Sequence, residues 1–188
     1  MKIVLLSGSN AGSKTRIAMD SANASLGQDF PSVETEIIDL KEKDMLFADG
    51  RNYLDYGGDT TDVATTIMEA DAIIIGTPVF NAGLPAALKN VLDLLPQKAL
   101  HHKAVSILET AGSNNHFLVG EYQLKPILTY LKAQIVPSVT FINEKHFQKG
   151  EIANYDIHLR ISDLVTDTVL LAESIGFMEK REAELLGF

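Results

Sequence analysis

Residues 7–16 read SGSNAGSKTR, with three serines, a threonine, two glycines and a lysine between an apolar run and a helical pattern. Such a loop can surround a phosphate with backbone N–H groups and hydroxyls while a helix amino terminus faces it. Gly8, Ser13, Lys14 and Thr15 are one substitution short of the P-loop G-x-x-x-x-G-K-[ST], with Ser13 where the second glycine belongs. A triphosphatase also needs Mg²⁺, held by the loop hydroxyl together with an Asp ending another strand. The apolar run from Ala72 continues as IIIGTP, and Asp39 is the only acid closing a strand. A phospho-receiver site fails similarly, because no acids follow the first strand and no Asp follows the third. A plain helix cap at Ser13 explains GSKT but not the cluster of phosphate-competent groups. The loop therefore reads as a holder of some other phosphate, with Ser9, Ser13, Lys14 and Thr15 as candidates.

Two further loops are poor in titratable groups. GTPVFNAGLPAALKNVLDLLP, residues 76–96, has small residues and prolines that make a rigid, open backbone. ETAGSNNH, residues 109–116, is small and polar. A flat heterocycle can lie on such backbone, against Pro78, Val79, Phe80 and Asn81 on one side and Thr110, Ala111, Gly112 and Ser113 on the other. One loop for a phosphate and two for a ring describe a mononucleotide such as FMN.

These loops need a scaffold, and the hydrophobic pattern supplies one. Ile3–Leu6, Ala72–Gly76 and Ala104–Leu108 are short apolar runs, as expected of parallel strands covered on both faces. Val33–Leu40 alternates like an outer strand, and Ile135–Ile142 carries Pro137, which points to an edge or a bulge. Helices are predicted over Ser13–Leu26, Thr61–Ala70, Pro85–Leu95, His116–Lys132 and Tyr155–Ile175. Pro85 suits a first helical turn, where a missing N–H costs nothing. Pro126 inside the fourth helix cannot donate to the Tyr122 carbonyl, which predicts a kink or a π-bulge. Strand–helix alternation implies right-handed crossovers and a doubly wound α/β sheet. Five strands fit a flavodoxin-like three-layer sandwich, a five-stranded parallel sheet in order 2-1-3-4-5. Ligands then bind between strands 1 and 3, where the three loops converge. Residues 44–60, with Phe47, Tyr53 and Tyr56, read as an ordered surface excursion, either a lid or subunit contact or an unremarkable long loop.

The 188 residues suit one domain, with 46% hydrophobic and 22% charged residues. There is no cysteine, which excludes disulfides, thiolate metal sites and thiol nucleophiles. Five scattered histidines, including the adjacent His101 and His102, show no metal-ligand spacing, and no metal is expected. A formal net charge of −9 makes nucleic acid a poor partner, since that affinity comes mainly from phosphate neutralisation. No apolar run is long enough for a membrane span, and the amino terminus does not read as a secretory signal, so a cytoplasmic protein is expected.

GSNAGSKTR, GTPVFNAGLPAALKNVLDLLP and TAGSNNHFLVGEYQLKPILTYL together resemble the flavodoxin-like NAD(P)H-dependent FMN reductases, above all those that supply alkanesulfonate monooxygenases. The resemblance runs in order and at matching spacing from about residue 3 to residue 140. That family's T-P-x-Y-x-x-x-x-x-G-x-L-K appears as Thr77-Pro78-Val79-Phe80 through Ala87-Leu88-Lys89, with Phe80 for a common Tyr and an Ala for the common Gly. The Arg usual after G-S-x is absent; Ala11 stands near its place, leaving Lys14 or Arg16 to supply the charge. The resemblance implies one FMN-binding reductase domain over residues 1–188, using FMN and NADPH or NADH. Chemistry borne by the flavin then leaves no catalytic side chain to find. The resemblance also implies a homodimer or homotetramer and a flavin-dependent monooxygenase as partner. Tyr122 matches the Tyr that marks a π-bulge near the flavin, where loose binding makes FMN a substrate; the alternative is a kinked helix whose Tyr merely packs. Two other functions use the same loops, an FMN-bound quinone, azo or metal-oxyanion reductase and a non-enzymatic flavodoxin-type electron carrier. The carrier usually encloses its ring between aromatics, and this chain has no Trp.

Overall fold

A computed structural model of the chain describes residues 1–187. Successive residues of a strand face opposite sides, and here both sides are apolar. In β1 (Lys2–Ser7), Ile3 and Leu5 face one core while Val4 and Leu6 face the other. In β3 (Ala72–Pro78), Ile74 shares the first core and Ile73 and Ile75 the second. Helices α1 (Lys14–Asp29) and α5 (Tyr155–Leu186) cover the first side. Helices α2 (Gly58–Glu69), α3 (Ala86–Leu94) and α4 (Lys125–Tyr130) cover the second. With β2 (Glu34–Asp39), β4 (Ala104–Ala111) and β5 (Gln134–Asn143), the sheet is parallel in the order β2-β1-β3-β4-β5. The expected three-layer order is the one observed. The loops after β1 and β3 leave the sheet in opposite directions and open a crevice between them.

Several elements differ in detail from the sequence pattern. Along β5, Ile135 pairs with Val105 and Val139 with Ile107, so extra residues bulge around Pro137 on this edge strand. Lys125 Nζ donates to the freed Pro137 carbonyl at 2.6 Å. Pro85 stands just outside α3 with an extended ψ of 140°, and its carbonyl accepts from Lys89 N–H. Helix α5 continues beyond Ile175, its last buried residue, to Leu186. Past Ile175 it buries no further side chain, touches the rest of the fold through the Glu179–His102 pair, and persists on the propensity of Glu, Lys, Arg, Ala and Leu, closed by Gly187 at φ 78°. A small hairpin, β6 (Phe147–Gln148) and β7 (Glu151–Ile152), was not anticipated; Lys149 and Gly150 close it, both at positive φ.

The predicted fourth helix is broken. A 3₁₀ turn at Asn114–His116 is followed by a π-helical turn at Gly120–Leu124 and only then by α4. Lys125 N–H reaches back to the Gly120 carbonyl, the wide spacing of a π-turn, and Pro126 follows with no N–H to give.

The excursion at residues 44–60 is ordered by side chains of neighbouring helices. Asp59 accepts from Asp44 N–H, and Thr60 accepts from Leu46 N–H. Asn90 of α3 accepts from Ala48 N–H and donates to the Leu46 carbonyl. Phe47 is left 79% exposed.

Candidate functional site

The crevice begins with a close approach of two glycines. Gly8 N–H donates to the Gly76 carbonyl at 2.8 Å, and a Cβ on Gly8 would come 2.9 Å from that oxygen. A Cβ on Gly76 would in turn come 2.9 Å from Thr15 Cγ2 and Met19 Cε. Gly76 lets the first turns of α1 lie directly on β3, and Gly8 lets the loop after β1 pass between β3 and Leu88 of α3.

That first turn holds unused donors. Ser13 occupies the N-cap position, but its side chain makes no capping bond. Among the described residues, nothing accepts from the N–H groups of Lys14, Thr15 or Arg16. Three free N–H groups at the start of a 16-residue helix form an anion site by geometry and dipole. Lys14 adds a charge beside them, at present paired with Glu144 at 2.7 Å. Arg16 does not contribute, because its guanidinium turns to Asp20 and Asp39.

The cavity these groups enter is about 270 Å³, lined by Ala11, Gly12, Ser13, Lys14, Thr15, Pro78, Val79, Phe80, Thr110, Ala111 and Gly112. Its floor is tied together by the Thr15 and Thr110 hydroxyls, 2.9 Å apart. Val79 N–H donates to the Thr110 carbonyl, which extends the β3–β4 ladder into the wall. Apart from Lys14, no lining residue is ionisable. Such a wall can hold an uncharged ring but cannot itself take or give a proton. A groove of about 650 Å³ lies between α1 and α5, with Ser21 and His158 inside it, but it is away from the crevice where the strand order reverses.

Of the residues proposed from sequence, Ser13, Lys14, Thr15, Pro78, Val79, Phe80, Thr110, Ala111 and Gly112 come together around this cavity. Ser9, Asn81 and Ser113 do not line it. The Ser9 hydroxyl donates to the Ala11 carbonyl and shapes the loop. Ser113 accepts from Asn115 N–H and caps the 3₁₀ turn. Asn81, with Ala82, makes a tight turn at φ 48° and 59° that closes the Phe80–Gly83 bridge. Tyr122 lies on the π-turn, 74% exposed. No cluster of metal-ligating side chains exists among the described residues.

Sequence reasoning missed Glu109, Gln123 and Glu144. Glu109 is buried at the end of β4, where burial pushes its carboxyl up to about 7. The Gly120 N–H on its Oε2 opposes that shift, and the charge of Glu121 adds to it. An acid in the otherwise apolar run AVSIL-E-TA was the available signal. Gln123 bonds to the 80–84 loop across the fold, a contact that no local pattern announces.

The family model described as NADPH-dependent FMN reductase matches residues 1–148. An NAD(P)H-dependent FAD/FMN reductase of Geobacillus thermodenitrificans is 34% identical over 170 residues, covering 90% of this chain and 92% of that protein. Among solved structures, an apo NADH:FMN oxidoreductase superposes with a TM-score of 0.74 at 25% identity, over 92% of this chain and 89% of that one. An archaeal flavodoxin superposes with a TM-score of 0.59 at 11% identity, over 94% of this chain and 99% of that one, a likeness of fold alone.

Proposed function

The chain belongs to the NADPH-dependent FMN reductase family, and from that premise we propose that residues 1–188 form one reductase domain holding FMN in the crevice between β1 and β3. The single observation that carries this assignment is the pairing of two unlike walls. One wall offers the free N–H groups of α1, the unengaged Ser13 hydroxyl and Lys14, which fit a phosphate. The other, Pro78–Phe80 and Thr110–Gly112, is uncharged backbone and apolar side chain, which fits a flat ring.

Bound FMN supplies the redox chemistry: its ring takes the hydride of NADPH or NADH and stores two electrons. The protein binds and orients. Lys14 would exchange Glu144 for the phosphate, and Ser13 and the first turn of α1 would donate to the phosphate oxygens. Thr15 and Thr110 hold the floor, and Pro78, Val79, Phe80, Ala111 and Gly112 bear on the ring and its ribityl chain. Ser9, Asn81 and Ser113 act by shaping those loops. The lining carries no carboxyl or imidazole, so the cavity wall itself would move no proton.

Exposed apolar side chains on the loops after β2, β3 and β4 (Phe47, Phe80, Phe117 and Tyr122) support a homodimer or homotetramer formed at this end of the sheet. Tyr122 on its π-turn borders such an interface and keeps the flavin exchangeable. FMN then acts as a substrate whose reduced form passes to a flavin-dependent monooxygenase in the cytoplasm. The test is NADPH oxidation by flavin-stripped protein with and without free FMN. Saturable turnover that requires FMN and continues in air is expected. Absence of oxidation under both conditions would overturn the enzymatic reading. Ser13→Leu should weaken FMN by about tenfold, and unchanged affinity would remove the phosphate role from this turn.

A further inference from the structure

Glu109 has no part in the roles above, although it stands next to Thr110. It is fully buried, its Oε2 accepts from Gly120 N–H at 2.6 Å, and its Oε1 has no partner among the described residues. In a continuous helix, Gly120 N–H would bond to the His116 carbonyl, but His116 belongs to the preceding 3₁₀ turn. The Glu109 carboxyl takes that place and caps the π-turn from inside the sheet. The fit admits no side chain at residue 120, where a Cβ would come 2.8 Å from Oε2 and 3.1 Å from Val139 Cγ1.

The π-turn passes this anchor onward. Gln123 Oε1 accepts from Leu84 N–H at 3.2 Å, and its Nε2 donates to the Ala82 carbonyl at 3.0 Å. Between those two bonds lies the Phe80–Gly83 bridge, with Asn81 and Ala82 held in the left-handed region. Phe80 lines the cavity. A continuous chain of bonds therefore runs from a carboxyl inside the sheet to the wall proposed to bear the flavin ring.

We propose that Glu109 and Gln123 are positioning residues for the flavin site: Glu109 anchors the π-turn, Gln123 carries that anchor to the Phe80 wall, and ionisation of Glu109 loosens both. The inference rests on the FMN reading of the cavity. The charged groups on the turn's side are Glu121, whose charge disfavours ionisation of Glu109, and Lys125, engaged by Glu121 at 2.7 Å and by the Pro137 carbonyl. Strands β3, β4 and β5 bring no other ionisable side chain. With its carboxyl raised to about 7, Glu109 is neutral in mildly acidic solution and suits its apolar surroundings. The carboxylate that forms above that value must gain water, and displacing the π-turn admits it.

Wild type, Glu109→Gln and Gln123→Leu are titrated with FMN by quenching of flavin fluorescence, from about pH 5.5 to about pH 8.5. Glu109→Gln keeps an acceptor for Gly120 but cannot ionise, so it corrects for the titration of the flavin phosphate itself. The ratio of wild-type to Glu109→Gln Kd should be near unity in acid and rise about threefold or more through neutrality. Gln123→Leu, an exposed position, should weaken FMN about threefold to tenfold at every pH with unchanged circular dichroism. A flat ratio overturns the ionisation step, and unaltered affinity in Gln123→Leu overturns the relay. Failure of the wild type to bind FMN would defeat the cavity reading instead. The relay is then judged on flavin-free protein by exchange of the Leu84 amide, expected to be about tenfold faster in Gln123→Leu; equal protection overturns it.

Discussion

The two walls of the cavity are built by different means. The wall from Ser7 to Thr15 is positioned mainly by close approach of backbone, with Gly8 against Gly76 and Gly76 beneath Thr15 and Met19, and the Ser9 and Thr15 hydroxyls brace it. The opposite wall, Pro78–Gly83, is positioned by side chains reaching from elsewhere: Gln123 on the π-turn and, behind it, Glu109. A wall made by strand-to-strand contact cannot move without moving the sheet. A wall hung on side-chain bonds and a left-handed turn can shift at small cost. The contrast suits the function proposed above, in which FMN is gripped at its phosphate and remains free to exchange.

The largest effect expected is on the backbone-built wall. Gly8→Val places a side chain where 2.9 Å separates a Cβ from the Gly76 oxygen and 3.1 Å from Leu88. It should lower stability by about 3 kcal/mol and abolish measurable FMN binding, read by urea unfolding and flavin titration. A mild phenotype would mean that this wall yields as easily as the other.

On the side-chain-built wall, the expected signature is a pH dependence. The folded-state carboxyl of Glu109 is raised from 4.5 to about 7, so the unfolded chain binds fewer protons between those values. Its contribution is fully present below pH 4.5 and is lost as pH rises through about 7. Glu109→Gln should flatten that decline, a difference of about 2 kcal/mol across the window by thermal or urea unfolding. A variant that declines in parallel with the wild type would show that Glu109 ionises freely.

Ala82→Gly relieves a left-handed non-glycine residue at φ 59°. It should stabilise the protein by about 0.5 kcal/mol, the strain relief outweighing the glycine entropy. Looser FMN binding in the same variant would identify the strained turn as part of the ring wall. The smallest stability change belongs to Lys14→Met. The Lys14–Glu144 pair is about half exposed, so losing it should cost less than about 0.5 kcal/mol. FMN affinity should nevertheless fall about threefold to tenfold, separating binding from stability at the rigid wall.

Much of this was legible in the sequence because it depends on neighbours along the chain. Apolar runs such as IVLL and AIII must be buried on both faces, and their alternation with amphipathic segments leaves few topologies. The SGSNAGSKT loop displays its phosphate-competent groups within one turn of chain. Pro126 announced the helical defect, since a residue without an N–H breaks a ladder wherever it sits. What the pattern could not convey was where the ladder would break: the π-turn starts at Gly120, because Glu109 on another strand takes that residue's N–H.

The sequence by itself therefore determined the layers, the strand order, the three loops and the existence of a break in the fourth helical segment. Those are consequences of local propensity and hydrophobic period. Only the tertiary structure decided that Lys14 rather than Arg16 faces the cavity, that Thr15 spends its hydroxyl on Thr110, and that Gln123 pins the Phe80 turn. Each of these is a choice among hydrogen-bond partners distant in sequence. Such choices are settled only when packing brings the donors and acceptors within about 3 Å of one another.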